Sequence, residues 1–130
     1  MIVVDASALL EALLRTPAAR AVEERLFAPR QTLHAPHLLD VEVAQVIRRY
    51  AAKGEIDSER GRAALADLAD FPFRRYPHDF LLPRVWDLRN NLTAYDAVYV
   101  ALAEALDAPL LTRDQRLAAA AGHHARIELV

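Results

Sequence analysis

The sequence predicts a three-layer α/β/α sandwich around a short, mainly parallel sheet of four to five strands. Short runs of β-favouring residues, such as residues 2–4, alternate with helical patterns along the chain. Helices between successive strands are typical of parallel sheets covered on both faces. The 130 residues, 54% of them hydrophobic, suffice for one core and are too few for two comfortable domains. We therefore expect a single domain over residues 1–130.

The β-favouring runs and helical patterns predict the order of the elements. The predicted strands are residues 2–4, 32–35, 73–76, 109–112 and 127–130. The predicted helices are residues 6–14, 18–27, 38–52, 58–71, 79–88, 92–104 and 114–121. Ser58 and Asp79 are predicted to cap their helices, and Leu65 to face inward. Thr93 lies three residues before Asp96, the spacing of a capping box.

Composition excludes several classes of protein. The chain has no cysteine, so it has neither disulfides nor a thiolate site. Its net charge of −2 gives no global attraction to nucleic acid, and only Lys53 among sixteen basic residues is a lysine. The apolar N-terminal segment is interrupted by Asp5 and Glu11 and lacks a preceding basic segment, unlike a signal peptide or membrane span. We expect a cytoplasmic protein with no membrane partner.

Four acidic residues are predicted to meet beyond the carboxyl ends of the strands, where ligands bind in open parallel sheets. Asp5 directly follows the first strand and Asp114 follows the fourth. Asp96 opens a helix that leads into the fourth strand. Glu42 lies one turn into the third helix and reaches this edge if that helix starts there. Each acid also has a purely structural interpretation, as a helix cap for the aspartates and a solvated side chain for Glu42.

Crowded carboxylates need a counter-charge, and Mg²⁺ or Mn²⁺ with oxygen ligands is the natural one. Such a site suits phosphodiester hydrolysis, because the metal activates water and neutralises charge on the phosphate. Asp5 is the candidate to bridge two metals if two bind. Ser7 and Thr112 are candidates to hold carboxylates or metal waters in place.

Four segments resemble those of the PIN-domain nucleases, and more narrowly the VapC toxins of bacterial VapBC toxin–antitoxin pairs: VVDASALL, PHLLDVE, LTAYDAVYVALAE and LLTRDQRL. The resemblance covers essentially the whole chain. It implies that the family's acidic quartet falls on Asp5, Glu42, Asp96 and Asp114, with Asp5 and Asp96 as the usual Mg²⁺ ligands. Some relatives carry a further acid where this chain has Arg116, which puts a fifth ligand in doubt.

The same resemblance implies a function and partners. It implies a Mg²⁺/Mn²⁺-dependent endoribonuclease acting on single-stranded or structured RNA, with tRNA or ribosomal RNA as common targets. It also implies a homodimer, neutralised by a cognate VapB-type antitoxin that enters the active-site groove, with DNA contacted only through the antitoxin. The alternative is a catalytically inactive PIN-like module that binds RNA or protein, and the intact acids argue against it.

Other interpretations are weaker. Haloacid-dehalogenase phosphatases need a second acid where this chain has Ser7, and receiver domains need paired acids and a late lysine. Zinc would need a third ligand beside the histidine pairs, at His34 and His37 or His123 and His124.

Arg84, Arg89 and Arg113 are candidates to hold RNA phosphates, although a solvated or ion-paired side chain is the slightly favoured interpretation of each one alone. Phe80 and Trp86 are expected in the core or at a dimer face rather than as base-stacking platforms.

Overall fold

The computed structural model describes residues 1–130 and contains one five-stranded sheet. All neighbouring strands pair in parallel, in the order β3-β2-β1-β4-β5. The strands, from β1 to β5, are Ile2–Val4, Leu33–Pro36, Phe73–Tyr76, Leu110–Thr112 and Ile127–Leu129. The predicted α/β sheet is therefore confirmed, with every predicted strand present and within a residue of its predicted bounds.

Seven α-helices cover the sheet. From α1 to α7 they are Ala6–Leu13, Ala19–Leu26, Leu38–Ala52, Ser58–Asp70, Leu82–Asp87, Ala94–Leu106 and Gln115–Ala119. Helices α1 to α4 pack on one another, whereas α5 packs on α6, which contacts β1, β2 and β4. No helix is both long enough and apolar enough to cross a membrane.

Helix α6 is the most buried helix, and this follows from its composition. Seven consecutive residues, from Ala97 to Ala103, are buried. A run of small and aliphatic side chains lets the helix lie close to three strands without a polar face. Its N-terminus is therefore the place where polar side chains on α6 can reach the carboxyl edge of the sheet.

Several local predictions are wrong. The carboxylate that caps α4 belongs to Asp57, which accepts the Arg60 N–H at 2.7 Å, and Ser58 is the first helical residue. Asp79 caps no helix and instead starts a short 3₁₀ turn, Asp79–Leu81, ahead of α5. Leu65 is 38% exposed, because it lies on the outer face of α4.

Phe80 and Trp86 are not core residues. They are 55% and 66% exposed, and Leu82 beside them is 54% exposed. The core interpretation is therefore wrong, because the 3₁₀ turn and short α5 bury Leu81 and Val85 instead.

The parallel pairing of β1 and β4 brings the ends of these strands together. Val4 pairs with Leu111, and the Asp5 N–H donates to the Leu111 carbonyl at 3.2 Å. Asp5 and Thr112 are thus neighbours across the two central strands, although 107 residues separate them. The candidate site is built at this edge.

Candidate functional site

Asp5 is the most firmly held acid of the site. Its Oδ1 atom accepts the Ala8 N–H at 3.0 Å, which makes it the N-cap of α1, and the Ser7 hydroxyl at 2.7 Å. Its Oδ2 atom accepts the Thr112 hydroxyl at 2.5 Å. The residue is only 7% exposed. The structural and functional interpretations of Asp5 are therefore compatible, since Oδ2 accepts only one hydrogen bond and keeps a second lone pair.

Opposing effects act on the ionisation of Asp5. Burial raises the pKa of this carboxyl above its ordinary value, and repulsion from Asp96 adds to the rise. The hydrogen bonds from Thr112, Ser7 and the Ala8 amide oppose it, because they favour the ionised form. A cation that reaches this buried carboxylate would therefore stabilise its ionised form.

Thr112 and Ser7 connect the loop after β4 to the start of α1. Thr112 is fully buried, and its Oγ1 atom accepts the Asp114 N–H at 3.0 Å while its hydroxyl donates to Asp5. Ser7 accepts the Arg113 N–H at 2.9 Å while it donates to Asp5. The two hydroxyls therefore fix the Asp5 carboxyl and the backbone that leads to Asp114.

Asp96 lies in the first turn of α6. The Thr93 Oγ1 atom caps this helix by accepting the Asp96 N–H at 3.2 Å, as the spacing predicts. Burial raises the pKa of the Asp96 carboxyl, and repulsion from Asp114 raises it further. Thr93 and Arg116 oppose the rise. Asp96 interacts with every other acid of the quartet, because repulsion from it also raises the pKa of Asp5 and of Glu42.

Glu42 is held by a tyrosine that sequence reasoning did not single out. The Tyr99 hydroxyl donates to the Glu42 Oε1 atom at 2.6 Å, joining α6 to α3. Burial raises the pKa of Glu42, the Tyr99 hydrogen bond lowers it, and repulsion from Asp96 and Asp5 raises it again. Tyr99 is 2% exposed, and burial beside this carboxylate raises its own pKa, so the hydroxyl stays a donor. The available signal was a tyrosine within the aliphatic run of α6 from Ala97 to Ala103.

Asp114 and Arg116 complete the edge of the cluster. Asp114 caps α7 by accepting the Arg116 N–H on Oδ1 at 2.9 Å. The Arg116 guanidinium lies 3.7 Å from the same oxygen and is largely exposed. A cavity of about 180 Å³ is lined by both residues together with Asp96 and Asn91. The position at which some relatives carry a further acid is thus occupied here by the positively charged side chain of Arg116.

The donor set fits a hard divalent cation. The structure contains no group of three or more acidic or histidine side chains placed to hold a metal ion. Mg²⁺ does not require one, because it keeps several waters and binds through one or two carboxylates plus substrate phosphate. Asp5 is buried and Asp96 half-buried, and repulsion from Asp96 raises the pKa of Asp5, so the two carboxylates suit that role. A zinc site is not supported, since His34 is enclosed between Thr32 and Tyr76.

Two of the three arginines predicted to bind phosphate contact other side chains instead. Arg84 forms a two-pronged ion pair with Glu104 at 2.7 and 3.1 Å, two turns of α6 beyond Asp96. The structure therefore contradicts a place for Arg84 at the cluster. Arg89 stacks on Trp86, with 4.5 Å from its guanidinium carbon to the ring centre.

Arg113 alone of these three lies beside the acids. It donates to the Val130 carbonyl at 2.5 Å and approaches Glu11 at 3.8 Å, and it lines a groove that also contains Glu42 and Ser7. A larger cavity of about 700 Å³ lies beside the ends of α1 and α4 and contains none of the four acids. Cavity size therefore does not identify the candidate site, whereas the clustering of buried and half-buried acids does.

Comparison with known proteins places the chain in a family. The PIN domain family matches residues 2–123. The chain is 49% identical over 129 residues to Ribonuclease VapC1 of Mycobacterium tuberculosis, covering 98% of this chain and 96% of the relative. It is 45% identical over 130 residues to Ribonuclease VapC12 of the same organism, covering 100% and 99%.

A solved structure supports the fold independently. The crystal structure of VapBC2 from Rickettsia felis, bound to a DNA fragment from its promoter, superposes with a TM-score of 0.74 at 14% identity. The match covers 100% of this chain and 99% of that chain. The chain belongs to the PIN domain family and, within it, to the group that includes the VapC ribonucleases.

Proposed function

We propose that the protein is the toxin of a type II toxin–antitoxin system and a Mg²⁺- or Mn²⁺-dependent endoribonuclease acting on single-stranded or structured RNA. The observation that carries this proposal is the pair formed by Asp5 and Asp96. Asp5 is buried and Asp96 half-buried at the carboxyl edge of the sheet, and repulsion from Asp96 raises the pKa of Asp5, in a chain similar to VapC ribonucleases. Transfer RNA and ribosomal RNA are the first substrates to test.

The residues of the chain have distinct roles in this proposal. Asp5 and Asp96 would hold the cation, with Glu42 and Asp114 at the margin of the site. When bound, the cation supplies the positive charge that activates water and neutralises the phosphate. Thr112 and Ser7 keep the Asp5 carboxyl oriented, so that little reorganisation is needed on binding. Glu42 has one oxygen held by Tyr99 and can take up a proton on the other.

The test is RNA cleavage by purified protein with and without Mg²⁺ or Mn²⁺. Asp5→Asn and Asp96→Asn should abolish metal-dependent cleavage while preserving the fold, measured by circular dichroism. Asp79→Asn removes an exposed acid away from the cluster and should cleave normally. Retained cleavage in both site variants would sink the proposal. RNA binding by the wild type without any cleavage would favour the inactive binding module instead.

We also propose a VapB-type antitoxin and a homodimer as partners, with DNA contacted only through the antitoxin. The antitoxin partner is supported by the names of the relatives and by the structure of VapBC2. The exposed apolar side chains Phe80, Leu82 and Trp86 suit a dimer face. Light scattering of the wild type and Trp86→Ala tests the dimer. Co-purification with the product of a small adjacent gene tests the antitoxin, and capture of no partner would contradict it.

A further inference from the structure

A groove runs along one side of the acidic cluster. It has a volume of about 620 Å³ and lies between α1 and α3, with Tyr95 from the start of α6 in its lining. Ser7 and Glu42, which contact the cluster, line it together with Arg49, Tyr95 and Arg113. The groove is therefore continuous with the proposed site of cleavage.

Tyr95 is the exposed aromatic residue of this groove. It directly precedes Asp96 and is 63% exposed, although most of α6 is buried. Its hydroxyl forms no hydrogen bond in the structure, so neither core packing nor a polar contact explains the ring. An open aromatic face next to a nucleic-acid-cleaving site is suited to stack on a base.

Arg49 is the uncommitted cation of the groove. It is exposed on α3 and forms no ion pair, whereas Arg113 is tied to Glu11 and to the Val130 carbonyl. Single-stranded nucleic acid is bound by aromatic faces for the bases combined with cations for the backbone. Tyr95 and Arg49 supply one of each in the same groove.

The acids lie between two concave surfaces. The groove reaches them from the side of Glu42, and the smaller cavity with Arg116 and Asn91 reaches them from the side of Asp96 and Asp114. A phosphodiester bond likewise has one nucleotide on each side. This arrangement suits an RNA strand that crosses the cluster from one cavity to the other.

We infer that the groove between α1 and α3 binds the nucleotide on one side of the scissile bond of single-stranded RNA, with its base stacked on Tyr95 and its phosphate at Arg49. The inference rests on the proposed function and adds the substrate subsite. It makes Tyr95 a determinant of substrate affinity. The role of Tyr95 is separate from that of the acids, because its ring contacts the base and not the reacting phosphate.

The experiment measures binding without cleavage. A fluorescein-labelled 12-nucleotide RNA of random sequence is titrated with Asp5→Asn protein, and its anisotropy is followed. Adding Tyr95→Ala should weaken binding by about 5- to 150-fold. Tyr95→Phe should bind like the parent, because the phenyl ring still stacks. Arg49→Gln should weaken binding and reduce the dependence of log K on log salt by about 0.7.

Phe27→Ala is the matched control. Phe27 is 62% exposed and lines the cavity that lacks the four acids, so its loss should leave RNA affinity unchanged. Tyr95→Ala should not unfold the protein, because alanine favours helix and the ring is exposed. Thermal denaturation checks this for each variant.

The outcomes separate this inference from the proposed function. If wild-type protein cleaves RNA and Tyr95→Ala binds as well as its parent, the subsite is overturned and the nuclease proposal stands. If the wild type neither cleaves nor binds RNA, both fail. If Tyr95→Ala loses only an antitoxin co-expressed with it and keeps RNA affinity, the groove belongs to the protein partner, which also overturns the inference.

Discussion

Replacing Thr112 by valine tests how the centre of the site is held together. Thr112 is fully buried, and its hydroxyl donates to Asp5 at 2.5 Å while its oxygen accepts the Asp114 N–H at 3.0 Å. Valine has nearly the same shape, so Thr112→Val leaves no cavity and retains the strand geometry. What it removes is the pair of hydrogen bonds.

The expected cost follows from those two bonds. A hydrogen bond to a charged group contributes about 1.5–3 kcal/mol, and an ordinary one contributes about 1 kcal/mol. Because the two share one hydroxyl and water can reach Asp114 in part, we expect the free energy of unfolding to fall by about 2–4 kcal/mol at pH 7.5. Thr112→Ser keeps the hydroxyl and should lose only about 1 kcal/mol for the missing methyl group.

The loss should depend on pH in a defined direction. The Thr112 hydrogen bond lowers the pKa of Asp5 in the folded protein, so its removal lets burial raise that pKa further. This penalty is present where Asp5 is ionised in the folded protein, and it disappears as the pH falls through the folded pKa, which burial raises above the ordinary 3.8. Urea denaturation of metal-free protein between pH 4 and 8 measures it. A Thr112→Val loss that matched Thr112→Ser at every pH would refute the reasoning.

Three further predictions concern other contacts of the site. Burial and repulsion from Asp114 raise the folded pKa of Asp96, so ionisation of this carboxyl destabilises the metal-free fold above that pKa. Asp96→Asn should therefore be at least as stable as the metal-free wild type at pH 7.5. Mg²⁺ should no longer stabilise this variant. A less stable metal-free variant at pH 7.5 would contradict this. Tyr99→Phe should raise the pKa of Glu42 and so move the acid limb of the cleavage pH profile to higher pH. It should also lower the free energy of unfolding, measured by urea denaturation, by about 1–2 kcal/mol. An acid limb that did not move would contradict this prediction. Arg84→Gln should cost at most about 1 kcal/mol and leave RNA cleavage unchanged, since the Glu104 ion pair lies away from the acids; a large loss of cleavage would return Arg84 to the site.

The elements that were predicted well have strong local signals. The bounds of α3 match the prediction because its apolar residues recur at helical spacing and Gly54, at φ 73°, ends the pattern. The Thr93 cap was predictable because its partner is three residues away. The errors at Ser58 and Asp79 concern which of several adjacent polar residues caps a helix, and backbone geometry decides that choice.

The same distinction between local and tertiary information applies to the site. Each aspartate was found because it follows a strand or opens a helix, and Glu42 was found one turn into the third helix, but the sequence left each acid with a structural alternative. The structure shows that Asp5, Asp96 and Asp114 lie at helix starts, that Asp96 raises the pKa of Asp5 and that Asp114 raises the pKa of Asp96. The hydrogen bond from Tyr99 to Glu42 and the place of Arg116 beside Asp114 were not predicted, because both depend on how α3, α6 and α7 are oriented.

The sequence by itself determined the order of strands and helices and the family resemblance, because periodicity, caps and short motifs are local along the chain. Only the tertiary structure decided which side chains meet. The parallel register of β1 and β4 sets Asp5 beside Thr112 across 107 residues, and the burial of α6 brings Tyr99 to Glu42. Those hydrogen bonds lower the pKa of Asp5 and of Glu42, whereas burial and repulsion between the acids raise both. Neither effect can be read from the sequence, because both depend on distances in space.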